Sequence, residues 1–225
     1  MITMKKVNRV LFPVLILIAV FLVFNRPKPF SKEERMIIRQ SDSVMYVTTW
    51  PEDSVVLRTP CTDLTPVELK SRELKTLTAK MLKTLCAPQH DGVGIAAPQV
   101  GVSKRIIWVQ RLDKEGGPFE CYLNPHIDSL FGEIGKGPEG CLSVPPMRGL
   151  VPRYTDVILS YVHPETLESK CDTVTGYTAV IFQHECDHLD GVLYIDKADT
   201  VYVSSSWEAK RRLYDYPRPD WWPLP

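Results

Sequence analysis

Gln183-His184-Glu185-Cys186-Asp187-His188 is a short polar run behind an apolar one. Two histidines four apart, with a glutamate directly after the first, make an H-E-x-x-H pattern. On a helix turning about 100° per residue, His184 and His188 point within about 40° of each other, one turn apart. Both imidazoles can then reach one metal ion. Glu185 sits on one flank of that face and Asp187 on the other. Cys186 projects to the opposite side, away from any shared ion. The preceding Tyr177-Thr178-Ala179-Val180-Ile181-Phe182 is largely apolar, which predicts a buried helix whose imidazoles each need a polar partner. Asp190-Gly191 predicts a stop. An amphipathic helix with two incidental histidines would carry the same five letters, so the rest of the chain has to separate the two.

The chain has 225 residues, enough for one domain plus appendages. Its 27 basic and 27 acidic residues balance, and no basic stripe stands out, so no nucleic-acid partner is expected. The start differs from the rest. Lys5, Lys6 and Arg9 precede an uncharged apolar run over residues 10–24, followed by Asn25-Arg26-Pro27. This is the pattern of an export signal. The run is short against the roughly 20 residues of a spanning helix, and the small residues of a cleavage site are missing. Residues 1–26 therefore read as a signal peptide or membrane anchor, with an uncleaved anchor favoured, and the protein as membrane-associated or exported. Cations flank the run on both sides, so its orientation is not set. The six cysteines are dispersed, unlike those of a small disulfide scaffold.

Residues 27–44 read as a linker, 45–203 as the catalytic domain, and 204–225 as a short helix over 204–214 with a Pro/Trp-rich tail. Between 45 and 57, short β-type runs are broken by Trp50-Pro51-Glu52-Asp53. Thr65-Pro66 opens a helix running to Cys86, with Leu69, Leu74, Leu77, Met81, Leu82 and Leu85 at helical spacing. Residues 105–109 and 119–123 predict a hairpin, residues 127–134 extend the sheet, and 151–162 and 172–177 add strands joined around His163-Pro164. Gly92-Val93-Gly94-Ile95-Ala96-Ala97-Pro98-Gln99 brackets one residue with glycines, which lets the backbone approach a ligand closely. It lacks the third glycine and the Gly-Lys-Ser/Thr of phosphate loops. Gln99 is its one polar side chain able to aim at a ligand. Glu139-Gly140-Cys141-Leu142-Ser143 places a cysteine in a Gly/Pro-shaped loop. The expected architecture is α+β: small antiparallel β-sheets around a central metal-binding helix, with an N-terminal hydrophobic segment.

Taken together in this order, the Gly92–Gln99, Glu139–Ser143 and Gln183–His188 segments resemble the G-x-G-x-A-A-x-Q, E-G-C-L-S and Q-H-E-x-D-H motifs of the peptide deformylase family. The likeness runs from about residue 55 to 196 and includes Val144-Pro145, Arg148 and Arg153. It implies one divalent metal held by Cys141, His184 and His188, with water in the fourth place. Ferrous iron is the expected metal, and zinc, nickel or cobalt fit the same site. One thiolate and two imidazoles with an open position is the catalytic arrangement of ligands. The implied reaction removes the formyl group from N-formylmethionine at the start of a peptide. The resemblance makes Glu185 the general base and acid, and Gln99 and the Leu142 N–H the donors to the developing oxyanion. It also puts Val180 in the methionine pocket, pairs the peptide backbone with Val93 and Gly140, and makes Gly92 and Gly94 part of a cramped acyl side.

The hydrophobic start departs from the expectation that deformylation happens where nascent chains emerge. Two competing readings follow from the same residues. A metalloprotease of the H-E-x-x-H type would want a further ligand downstream, for which Glu208 is the only obvious glutamate, and would leave the Cys141 loop unexplained. A non-catalytic membrane-tethered peptide-binding module would need neither Glu185 nor Gln99.

Overall fold

The computed structural model describes residues 30–90, 92–204 and 220–222. Five helices and six strands order the described chain: α1 Lys32–Gln40, α2 Ser54–Arg58, α3 Pro66–Leu69, α4 Arg72–Leu85, β1 Gly94–Ala96, β2 Ile106–Gln110, β3 Phe119–Gly140, β4 Met147–Val162, β5 Ser169–Thr175, α5 Gly176–Leu189 and β6 Thr200–Val203. All strand pairs are antiparallel, in the order β1-β2-β3-β4-β5, with β6 also on β4. The α+β class holds, but the several small sheets expected are one sheet. β3 and β4 pair along nearly their whole length, through register shifts between Leu123 and His126, Ile127 and Ser129, and Phe131 and Ile134. Such bulges bend a strand without ending it. β2 and β5 therefore flank one end of the β3–β4 ribbon and β6 the other.

Alternation along β2 shows why the sheet sits between helices. Ile106 joins a core with Leu74, Leu77, Met81 and Leu85 of α4, and Trp108 donates its indole N–H to the Thr78 carbonyl at 3.0 Å. Ile107 and Val109 point the other way, into a core with Ala179, Phe182, Cys186 and Leu189 of α5. Successive side chains of a strand leave on opposite faces, so five residues bind both layers. The helix expected over 65–86 is divided. Thr65 caps α3 through a capping box with Glu68, and Ser71 caps α4 by accepting from the Leu74 N–H at 3.1 Å.

Three further expectations are corrected. Much of the supposed linker 27–44 is helix α1, started by a Ser31–Glu34 capping box and anchored by buried Ile37 and Ile38. Its three central apolar letters stand in a charged segment, and their packing partners lie far along the chain. The β-type reading of residues 45–57 fails over α2, where Val56 and Leu57 are buried by tertiary packing that overrides β-branched propensity. β5 ends at Thr175, so Tyr177 belongs to the first turn of α5. Among the described residues no helix is long and apolar enough to cross a membrane. The apolar run 10–24, the helix expected over 204–214 and Glu208 lie outside the described residues.

The tail packs on the body through Trp222. This side chain is 8 % exposed, meets Tyr46 edge-on at 4.9 Å and joins the α1–α4 core. Gly101, at φ +80°, makes room for it, since a Cβ there would lie 2.5 Å from the Trp222 ring. Trp222→Ala is expected to cost about 3 kcal/mol, the lower end for a buried aromatic. That is roughly a 6–12 °C fall in Tm by thermal unfolding at this size. A shift within one degree would contradict the packing described.

Candidate metal centre and active site

Cys141 follows the last residue of β3, and His184 and His188 lie one turn apart on α5. The three donor atoms lie within 4.8 Å of one another. The Cys141 Sγ is 3.1 Å from His188 Nε2, and the two rings are 5.0 Å apart between centroids. His184 turns its Nδ1 to the Glu139 carboxylate at 2.8 Å, which leaves Nε2 for the shared point. A carboxylate behind a ligating histidine fixes both tautomer and ring orientation. The Tyr194 ring stacks on the other side of His184, at 6.0 Å and 21°.

Glu139 and His184 are held by a buried ionic chain. Arg153 donates to Glu139 at 2.7 and 3.0 Å and to Asp187 at 2.6 Å. Asp187 also accepts from Lys197 at 2.6 Å. The chain ties the end of β3, the middle of β4 and the α5 helix into one unit. Gln183 adds a two-way bond to the Tyr154 backbone, at 2.7 and 3.1 Å. In the sequence Arg153 stands only as part of the resemblance, with no role attached. A buried Arg between two acids has no local sequence signature.

The two candidate chemical groups converge on the same point. The Gln99 Oε1 accepts from the Ala96 N–H at 2.8 Å, so its amide N–H₂ faces the cleft, donating to Ser143 Oγ at 3.2 Å and Cys141 Sγ at 3.4 Å. Glu185 is 4 % exposed, and its Oε2 has no partner among the described residues. Gly94 passes so close that a Cβ there would lie 2.8 Å from the Glu185 Cδ. Gly92, Val93, Gly94, Gln99, Gly140, Cys141, Leu142, Val180, His184 and Glu185 all line one cleft of about 210 Å³, with His188 buried beneath it. The residues that the resemblance assigned to metal, catalysis and substrate are thus brought together, whereas Glu208 lies outside the described residues.

The electrostatics suit a cation. Burial pushes the Glu185 carboxyl up to about 7, against the pull of His184. Burial, His184 and Arg153 push His188 well below its ordinary value, into the neutral form that binds metals. Burial also disfavours a charged His184, but the Cys141 sulfur and Glu139 outweigh it and draw positive charge to this point. A divalent ion between one sulfur and two imidazole nitrogens satisfies the same pull. The donor set fits a first-row divalent metal and does not by itself choose among them.

A family model described as polypeptide deformylase matches residues 44–203. The chain belongs to the polypeptide deformylase family. Among curated relatives, a peptide deformylase of Leptospira biflexa is 37 % identical over 150 residues, covering 63 % of this chain and 82 % of the relative. One of Desulforudis audaxviator is 41 % identical over 140 residues, covering 59 % and 87 %. The solved class I type b peptide deformylase of Acinetobacter baumannii superposes with a TM-score of 0.62 at 37 % identity, covering 68 % of this chain and 98 % of that one. A peptide deformylase of Synechococcus elongatus, solved with actinonin, gives 0.62 at 29 % identity, covering 78 % and 89 %. The chain is accordingly a metal-dependent deformylase, which displaces the binding-only module. Among the described residues Cys141 is the third donor that could join His184 and His188 on one ion.

Glu139 carries the pH dependence of this unit. Burial works against its charged form, but bonds from His184 and Arg153 prevail and take its carboxyl down to about 2. A depressed folded value stabilises above the unfolded value of about 4.3, and that stability is lost as pH falls towards 2. In metal-free protein unfolded by urea, the stability gap between the native chain and Glu139→Gln is expected to shrink by about 3 kcal/mol between pH 5 and pH 2. A gap independent of pH would contradict the ionic chain.

Proposed function

We propose that this chain hydrolyses the formyl amide of N-formylmethionyl peptides, releasing formate and a free amine, with the residue roles that follow. The observation that carries the reading is the convergence of Cys141, His184 and His188 with Glu185 and the Gln99 amide in one cleft. A bound divalent metal supplies Lewis acidity, lowering the pKa of water from about 15.7 towards about 7. Cys141, His184 and His188 would hold it.

Glu185 takes the proton of the attacking water and later delivers it to the leaving amine. Its raised value suits an acid–base group, and its Oε2 is buried with no partner among the described residues. As the formyl carbon becomes tetrahedral, the Gln99 amide and the Leu142 N–H donate to its oxygen. The bond from the Ala96 N–H keeps the Gln99 amide turned the right way before substrate arrives. Val180 and Ile181 on α5 line the cleft with apolar surface for the methionine side chain. Gly92, Val93, Gly94 and Gly140 offer backbone to the peptide. One A. baumannii structure was solved with Met-Ala-Ser bound, which supports a peptide running through the matching cleft here.

Ferrous iron is the proposed native metal, with zinc, nickel or cobalt able to occupy the site. The apolar run at residues 10–24, flanked by cations, supports attachment to a membrane. Removal of residues 1–26 should then move the protein from the membrane pellet to the supernatant after carbonate washing. An unchanged distribution would sink the tether.

Anaerobically purified protein loaded with ferrous iron is expected to release formate from formyl-Met-Ala-Ser. Gln99→Ala should lower kcat by about 10²–10³-fold while metal content stays at one per chain. Glu185→Ala should lose most turnover and also keep its metal. Full activity in either variant would remove the role assigned to that residue. Failure of the native protein to release formate under these conditions would refute the reading.

A further inference from the structure

The two proposed oxyanion donors sit on separate segments, the Gln99 turn and the Cys141–Ser143 loop. A third segment hydrogen-bonds the backbone of both. Thr48 donates its N–H to the Gln99 carbonyl at 2.9 Å and its hydroxyl to the Pro98 carbonyl at 3.0 Å. Two residues on, Trp50 donates its N–H to the Ser143 carbonyl at 2.8 Å. Thr48 is fully buried, and none of Thr48, Thr49 and Trp50 lines the cleft.

We propose that Thr48 is a positioning residue for deformylation, setting the spacing between the Gln99 amide and the Leu142 N–H from behind the site. The proposal rests on the oxyanion role given to Gln99 above. A hydrogen bond to the backbone on each side of the Pro98–Gln99 link fixes the turn from which the Gln99 side chain projects. The Trp50 bond refers the Leu142 loop to the same segment.

The strap itself is anchored. The Met45 N–H donates to Thr84 Oγ1 at 2.8 Å. The Asp53 carboxylate, 1 % exposed, accepts from the Tyr46 hydroxyl at 2.8 Å and the Thr49 N–H at 2.9 Å. Trp222 packs against both Tyr46 and Gly101, the latter two residues beyond Gln99. The end of the chain and the turn that carries Gln99 therefore share one support. A donor aimed at charge present only in the transition state helps only if it is held before the charge appears, so looseness here is expected in kcat rather than in KM.

The test uses metal-loaded full-length protein and formyl-Met-Ala-Ser. Thr48→Val keeps the side-chain shape and removes the hydroxyl, and Thr48→Ser keeps the hydroxyl. Thr48→Val should lower kcat about five-fold or more, with KM and metal content unchanged, and Thr48→Ser should retain at least half of the native kcat. In a Gln99→Ala background Thr48→Val should cost less than about two-fold, because residues acting as one unit are not additive. An unchanged kcat in Thr48→Val, a rise in KM or a loss of metal instead, or an equal loss in both backgrounds would each overturn the proposal. Should Thr48→Val not fold, Thr48→Ala removes the same hydroxyl and is read by the same criteria. Full turnover in Gln99→Ala would overturn the oxyanion assignment, whereas its loss with a normal Thr48→Val overturns the strap alone.

Discussion

Arg153, buried between Glu139 and Asp187, is the interaction on which the site depends. Cys141 arrives from a strand and the two histidines from a helix, so nothing local brings sulfur and nitrogen together. Arg153 grips the residue two before Cys141 and the residue just before His188, and the distance between the two ligand-bearing segments is fixed as a result. A buried ion pair adds little net stability, since desolvating the charges offsets their attraction. Removing one member is different, because it strands a buried charge at about 3–5 kcal/mol. The pairing therefore acts on geometry: with these charges inside, the strand end and the helix have one satisfied arrangement.

The rest of the fold makes that arrangement affordable in hydrogen-bond terms. α5 is buried on most of its surface, with polar Gln183, Glu185, Asp187 and His188 among its covered residues. Each except Glu185 and His188 has every buried side-chain polar atom bonded within the protein. Glu185 keeps its Oε2 unpartnered in the cleft, whereas His188 turns Nε2 to the Cys141 sulfur and keeps Nδ1, its other ring nitrogen, without a partner among the described residues. Away from the site, Arg111 is paired with Asp113 and the Tyr122 hydroxyl, both at 2.7 Å, and the Asp113 N–H donates to the Thr178 hydroxyl at 3.1 Å in the first turn of α5. That network holds the other end of the metal helix to the sheet.

The metal helix was legible because its signal is local: His184 and His188 repeat at the helical period, and an apolar run precedes them. Cys141 and Gln99 were legible only through motifs in a set order, since a lone cysteine or glutamine carries no directional signal. The Leu-rich stripe of α4 and the β2–β3 hairpin came from periodicity alone. What was not legible depends on distant partners. α1 reads as polar because Ile37 and Ile38 are outnumbered locally, and Trp222, which covers that region, is nearly two hundred residues away. The single sheet reads as several because the bulges in β3 interrupt its alternation. Thr48 and Arg153 hold the site through backbone carbonyls and buried charge, and no spacing rule reveals either.

The claim beneath all of this is that one sulfur and two imidazole nitrogens from two separate elements bind a single ion. X-ray absorption at the metal edge of zinc-loaded protein tests it most directly. The account predicts a first shell with one sulfur at about 2.3 Å and two nitrogens at about 2.0–2.1 Å, and loss of the sulfur in Cys141→Ser. A first shell without sulfur in the native protein, at one metal per chain, would contradict it.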